Sequence, residues 1–183
     1  METTIAVHLA EGFEEIEAVS IIDVLRRANI ETRVVSVTGN KLVTGSHHIQ
    51  VTADVLFEEV DYSTIGMIVL PGGLPGANNL NDHTGLVKQI LDFHKNGKPL
   101  GAICAAPLVF GNLEILKNQK ATCFPGFENQ LLGAEVTGAE VETSGKIITG
   151  KGAGVAIKFA LKIVETFKGK TFAEELGRKM IFS

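Results

Sequence analysis

The chain has 183 residues, of which 45% are hydrophobic and 21% charged, and a net charge of −4. That length suits one domain with its own core, expected over residues 1–183, and the acidic balance offers no basic footprint for nucleic acid or acidic lipid. The longest apolar run, Leu100 to Gly111, is too short to span a bilayer, and Glu2 stands where a leader would carry basic residues. Two cysteines, Cys104 and Cys123, without metal-ligand spacing predict a reduced, cytoplasmic protein and no metal.

Strand and helix signals alternate along the chain. Thr4 to Leu9 reads as a β-branched first strand, and Glu14 to Asn29 as a helix in which Ile21, Val24, Leu25 and Ala28 repeat at helical spacing. Thr32 to Thr38 is a second strand ending at the Gly39-Asn40 turn. Residues 41–56 read as short strands around Thr44-Gly45-Ser46. Met67 to Leu70 is a third buried strand, closed by Pro71-Gly72-Gly73. A helix over Thr84 to Lys95 precedes a strand from Pro99 to Ile103, after which a helix starts at once. Short strands follow residue 119, including Val141 to Thr143 and Lys146 to Thr149 around Ser144-Gly145. Val155, Phe159, Ile163 and Val164 mark a last amphipathic helix. This order predicts an α/β sandwich with a mostly parallel sheet, whose sites lie at the carboxyl ends of strands. Ala10-Glu11-Gly12, Pro71-Gly72-Gly73 and Cys104 all fall at such ends.

Cys104 is the most informative residue. At a strand end before a helix, a thiol meets unpaired N–H groups and the positive end of a helix dipole, which favour the thiolate. The competing reading is a small buried hydrophobe. Glu17 lies four residues before Ile21 and seven before Val24, so it shares the buried helix face. A carboxyl buried there without a cation stays protonated and can donate to, and exchange a proton with, a nearby thiolate. Glu14 and Glu15 fit solvated first-turn acids that favour the helix dipole. Gly72 and Gly73 either let the backbone approach a ligand with its N–H donors or form a plain tight turn; the phosphate-loop spacing is absent. The Gly150 to Gly154 run reads as a close helix–sheet approach or an anion site. His47 and His48 read as solvated, His83 and His94 as surface residues, and Cys123 as inert packing.

With these residues placed, the chain resembles the DJ-1/PfpI (ThiJ-like) superfamily nearly end to end. The resemblance is carried by Leu9 to Glu17, Asp23 to Ala28, Val69 to Gly73, Ala102 to Pro107 and Thr149 to Gly154, in that order. It implies a flavodoxin-like three-layer sandwich, a homodimer, and a cysteine on a strained strand-to-helix turn, a nucleophile elbow. By position, Cys104 would be the reactive cysteine, Glu17 its protonated partner, and the backbone of Gly72, Gly73 and Ala105 an oxyanion site. No cofactor is implied. Ala105 stands where protease-like branches place a histidine, which points to the DJ-1 and ThiJ-like branch and away from proteolysis. No His-x-Glu is present, which argues against a glutaminase. Phe124 replaces a histidine that some members carry before the proline aligned with Pro125. His47 is the candidate substitute, since its segment lies near the partner's site in family dimers. Lys151 stands where some relatives carry Arg.

The resemblance implies cofactor-independent glyoxalase- or deglycase-type chemistry on small aldehydes or glycated substrates. The alternatives are a redox sensor or chaperone acting through a Cys104 sulfinic acid, or a role near thiamine-precursor synthesis. No nucleic acid or membrane partner is expected.

Overall fold

The structure is a computed structural model that describes residues 4–182. Glu2, used above in reading the chain start, lies outside the described residues. In chain order the elements are β1 (Thr4–Leu9), α1 (Glu15–Arg27), β2 (Thr32–Ser36), β3 (Leu42–Thr44), β4 (Gln50–Thr52), β5 (Val55–Leu56) and β6 (Ile65–Leu70). Then come α2 (Gly76–Asp82), α3 (Thr84–Lys95), β7 (Leu100–Ile103), α4 (Pro107–Asn112), β8 (Lys120–Ala121), β9 (Glu135–Val136), β10 (Val141–Ser144), β11 (Ile147–Gly150), α5 (Ala156–Lys168) and α6 (Lys170–Lys179).

Seven strands form one sheet in the order β10-β11-β7-β6-β1-β2-β5. Only the β10–β11 pair is antiparallel. Because side chains alternate across a strand, β1 sends Ile5, Val7 and Leu9 to one face and Ala6 and His8 to the other. The first face packs on α1, α5 and α6 through Ile21, Leu25, Phe159, Ile163 and Leu176. The second packs on α2, α3 and α4 through Leu80, Leu86, Ile90 and Phe110. Each fully buried side chain of this kind contributes about 1.5–3 kcal/mol. The expected three-layer α/β sandwich is therefore present.

Several boundaries differ from the sequence reading. Helix α1 starts one residue later, because Glu14 is its cap: its carboxylate accepts the Glu17 N–H at 2.7 Å. The second strand stops at Ser36, whose hydroxyl turns to Asn40 O at 2.6 Å instead of continuing the ladder. Three turn residues separate β7 from α4, so no helix begins directly at Cys104. Helices α2 and α6 were not expected. The first is Gly- and Asn-rich and is held by burial of Ala77 and Leu80. The second follows Gly169 and buries only Ala173, Leu176 and Gly177, so α5 is not the last helix. No helix among the described residues is long and apolar enough to cross a membrane.

Candidate active site

The carboxyl ends of β1, β6, β7 and β11 converge on Cys104. Its backbone is left-handed, with φ at +64°, a conformation that costs a non-glycine residue energy and that the sequence resemblance expected of the elbow. Two backbone bonds hold it there: Cys104 N–H donates to Gly150 O at 2.9 Å, and Cys104 O accepts the Phe124 N–H at 2.8 Å. The thiol is half-buried.

Glu17 is fully buried in the first turn of α1. One of its oxygens accepts the Gly72 N–H at 2.7 Å. The other, Oε1, has no hydrogen-bond partner; the Cys104 thiol is its neighbour across Gly72, close enough that each group shifts the other's pKa. A Cβ on Gly72 would come within 2.6 Å of Cys104 Cβ and 2.9 Å of Glu17 Oε2, so only glycine allows the thiol and carboxyl to close over this turn. Gly72 O in turn accepts the Glu14 N–H at 2.9 Å, tying the loop to the cap of α1.

Burial pushes Glu17 up to about 7, against the pull of the Gly72 N–H, and the Glu14 charge adds to the rise. Burial and the Glu17 carboxylate likewise push the Cys104 thiol up to about 12, against the N–H groups of Gly73 and Ala105 that face it. This corrects the thiolate expected from a helix terminus alone. Helix α4 is only six residues long, starts three residues away, and its field is weaker than a neighbouring carboxylate. Each group's charge opposes ionisation of the other, so the first proton leaves from Glu17 and the thiol holds the second. When Glu17 holds the proton, it ceases to repel a thiolate and becomes a donor to it.

The structure thus brings together Cys104, Glu17, Gly72, Gly73 and Ala105. It also divides the three backbone donors: Gly72 serves Glu17, which leaves the Gly73 and Ala105 N–H groups at the sulfur. Glu15 does not fit the solvated role expected of it. It is 5% exposed, and the 45–49 turn wraps its carboxylate. Oε1 accepts the N–H groups of His47 (2.6 Å) and Ile49 (3.3 Å), and Oε2 the Ser46 hydroxyl (3.2 Å) and His47 Nδ1 (2.9 Å). Burial would raise its pKa, but the His47 side-chain and backbone donors outweigh that and hold it at about 2. His47 is exposed as expected, yet its Nδ1 is engaged by Glu15, which raises its own pKa. Ligand atoms of Glu14, Glu15 and His47 lie within 4.8 Å of one another, but donors already take both Glu15 oxygens.

His94 is exposed, whereas His83 is half-buried, caps α3 by accepting the Leu86 N–H at 3.0 Å, and meets the Phe57 ring edge-on. Cys123 is packed inside. Gly150 approaches Ile103 and Phe159 closely, which supports the helix–sheet reading of that run. Lys151 Nζ donates to Gly138 O at 3.1 Å. Sequence reasoning missed His8. It is fully buried, its Nε2 meets the Tyr62 hydroxyl at 2.8 Å, and desolvation lowers its pKa to about 3. The available signal was a polar residue in a strand buried on both faces. Surface cavities of about 660 Å³ beside Arg26 and Asp54 and 530 Å³ between α5 and α6 do not include the thiol.

Residues 3–166 match the model of the DJ-1/PfpI family. Protein DJ-1 homolog B of Arabidopsis thaliana is 42% identical over 176 residues, which cover 95% of this chain and 40% of that protein. The chain therefore spans less than half the length of that relative. The glutathione-independent glyoxalase DJR-1.2 of Caenorhabditis elegans is 32% identical over 161 residues, 87% of this chain and 85% of its own. The structure of oxidized Toxoplasma gondii DJ-1 superposes with a TM-score of 0.95 at 36% identity, covering 99% of both chains. With an elbow cysteine, a buried carboxyl beside it and a matched fold throughout, this chain belongs to the DJ-1/PfpI family.

Proposed function

We propose that the protein is a cofactor-independent enzyme that converts small α-oxoaldehydes to hydroxy acids, with Cys104 as nucleophile and Glu17 as proton shuttle. One observation carries the reading: a fully buried carboxyl beside the thiol, pushed by burial up to about 7, with one oxygen anchored to Gly72 and the other unpaired. The Caenorhabditis elegans relative's name adds chemical plausibility.

In this scheme the Cys104 sulfur adds to the aldehyde carbon. A C–S bond forms, the carbonyl π pair moves to oxygen, and the thiol proton reaches that oxygen through Glu17, giving a hemithioacetal. The Gly73 and Ala105 N–H groups face the developing oxyanion. Glu17 then removes the proton from the former aldehyde carbon and returns one to the adjacent carbon. The first carbon is oxidised to a thioester and the second reduced to an alcohol, so no outside oxidant is consumed. Water cleaves the thioester, releasing the hydroxy acid and restoring the thiol. Loss of methylglyoxal turnover in Cys104→Ala is the expected result; equal turnover by the variant and the parent overturns the scheme.

The unpartnered Glu17 oxygen favours a second reading. A peroxide would oxidise Cys104 to the sulfinic acid, releasing water at each oxygen transfer, and protonated Glu17 would donate to a sulfinate oxygen. Mass spectrometry after mild peroxide then finds two added oxygens on Cys104 before any on buried Cys123. A homodimer remains part of the proposal, supported by Ile16 and Val19 standing 60% and 49% exposed on α1.

A further inference from the structure

The polar equipment of the elbow lies at its base, and the residues beside it are apolar. Phe124 is 47% exposed, although its own N–H is spent on Cys104 O and so fixes its backbone against the nucleophile. Its ring rests on Gly152, where a Cβ would come within 3.2 Å of Phe124 Cδ2. Gly152 is two residues beyond the Gly150 carbonyl that takes the Cys104 N–H, so both segments that clamp the elbow meet under this ring. Leu74, 48% exposed, directly follows Gly73, whose N–H faces the sulfur. The nearest cation in these segments, Lys151, is turned onto Gly138 O. These segments thus place backbone donors at the sulfur and apolar side chains beside them, and Lys151, the cation they carry, is committed to Gly138 O.

We propose that Phe124 is a specificity-determining residue: its ring receives the apolar substituent of an α-oxoaldehyde bound at Cys104, so the chain favours alkyl- and arylglyoxals over glyoxal. This rests on the catalytic reading above for its substrate class, but not for its physical content. A half-exposed phenyl ring held over a glycine loses its remaining contact with water when an apolar group covers it, and an unsubstituted aldehyde gains nothing there.

The test separates the two claims. The probes are iodoacetamide and its N-phenyl derivative, with labelling of Cys104 timed by mass spectrometry in the wild type, Phe124→Ala and Phe124→Leu. The ratio of the two rates cancels any change in the thiol's own reactivity. The expected ratio falls about tenfold in Phe124→Ala and much less in Phe124→Leu, which keeps an apolar side chain. In turnover, the kcat/KM preference for phenylglyoxal over glyoxal falls in parallel. Equal labelling ratios in the wild type and Phe124→Ala overturn the assignment, whatever turnover shows. An intact labelling preference in a protein that turns over no aldehyde supports the contact and overturns the catalytic reading instead.

Discussion

Glu15 and Glu17 lie two residues apart on one helix, both buried, and their carboxyls have opposite fates. Glu15 is surrounded by donors from the 45–49 turn and stays charged down to about pH 2. Glu17 is offered a single N–H and a thiol, and holds its proton up to about pH 7. Burial raises both; the number of donors decides the sign. The first carboxyl fastens the hairpin β3–β4 to α1, and the second is left able to exchange a proton. Two residues of one helix turn thus separate a structural anion from a candidate acid–base group.

The contrast can be broken at either end. The largest expected effect is on chemistry: Glu17→Gln keeps an acceptor for Gly72 but cannot exchange a proton. Methylglyoxal turnover is expected to drop about 10²–10⁴-fold with the fold intact by circular dichroism. Turnover within threefold of the wild type would place the shuttle elsewhere. On the other carboxyl, Glu15→Ala strips the acceptor from the His47 and Ile49 N–H groups and costs about 3 kcal/mol in urea unfolding. A loss below about 0.5 kcal/mol would show that the turn holds itself.

The smallest effect is the pH dependence of stability, where the two acids pull in opposite directions. Glu15, depressed to about 2, gives stability that is full above the ordinary 4.5 and lost as pH falls through 2. Glu17, raised to about 7, binds its proton more tightly in the folded state, so its contribution is full below 4.5 and lost as pH rises through 7. Buried His8, lowered to about 3, binds its proton more weakly when folded, so stability rises with pH from 3 to 6.5. Between pH 4.5 and 6.5 the Glu17 and His8 slopes oppose each other, each at most about 1.4 kcal/mol per pH unit. Urea midpoints of Glu17→Gln across this range should therefore rise more steeply with pH than those of the wild type. Parallel curves for the two proteins would show that Glu17 titrates at its ordinary value in the folded chain.

Much of the site was legible because its signals are local. Glu17 was placed by i, i+4 and i+7 spacing to Ile21 and Val24, and Cys104 by the end of an apolar strand. Helix α2 was hidden because its residues are poor helix formers whose burial comes from β1 and α4. The raised Cys104 thiol was misjudged because its neighbour in space, Glu17, is far away along the chain. Glu15 was misread for the same reason: its donors come from residues 31–34 positions later.

By itself the sequence determined which faces are buried, since periodicity of apolar residues is enough to orient strands and helices. It determined the strand ends on which the thiol and the glycines sit and the helix face that carries the carboxyl. Tertiary structure alone decided which buried carboxyl is held charged, which N–H groups remain for the sulfur, and that the Phe124 N–H is bound to Cys104 O with its ring on Gly152. Those outcomes depend on donors and contacts within a few ångströms, and folding supplies them from segments remote in the chain.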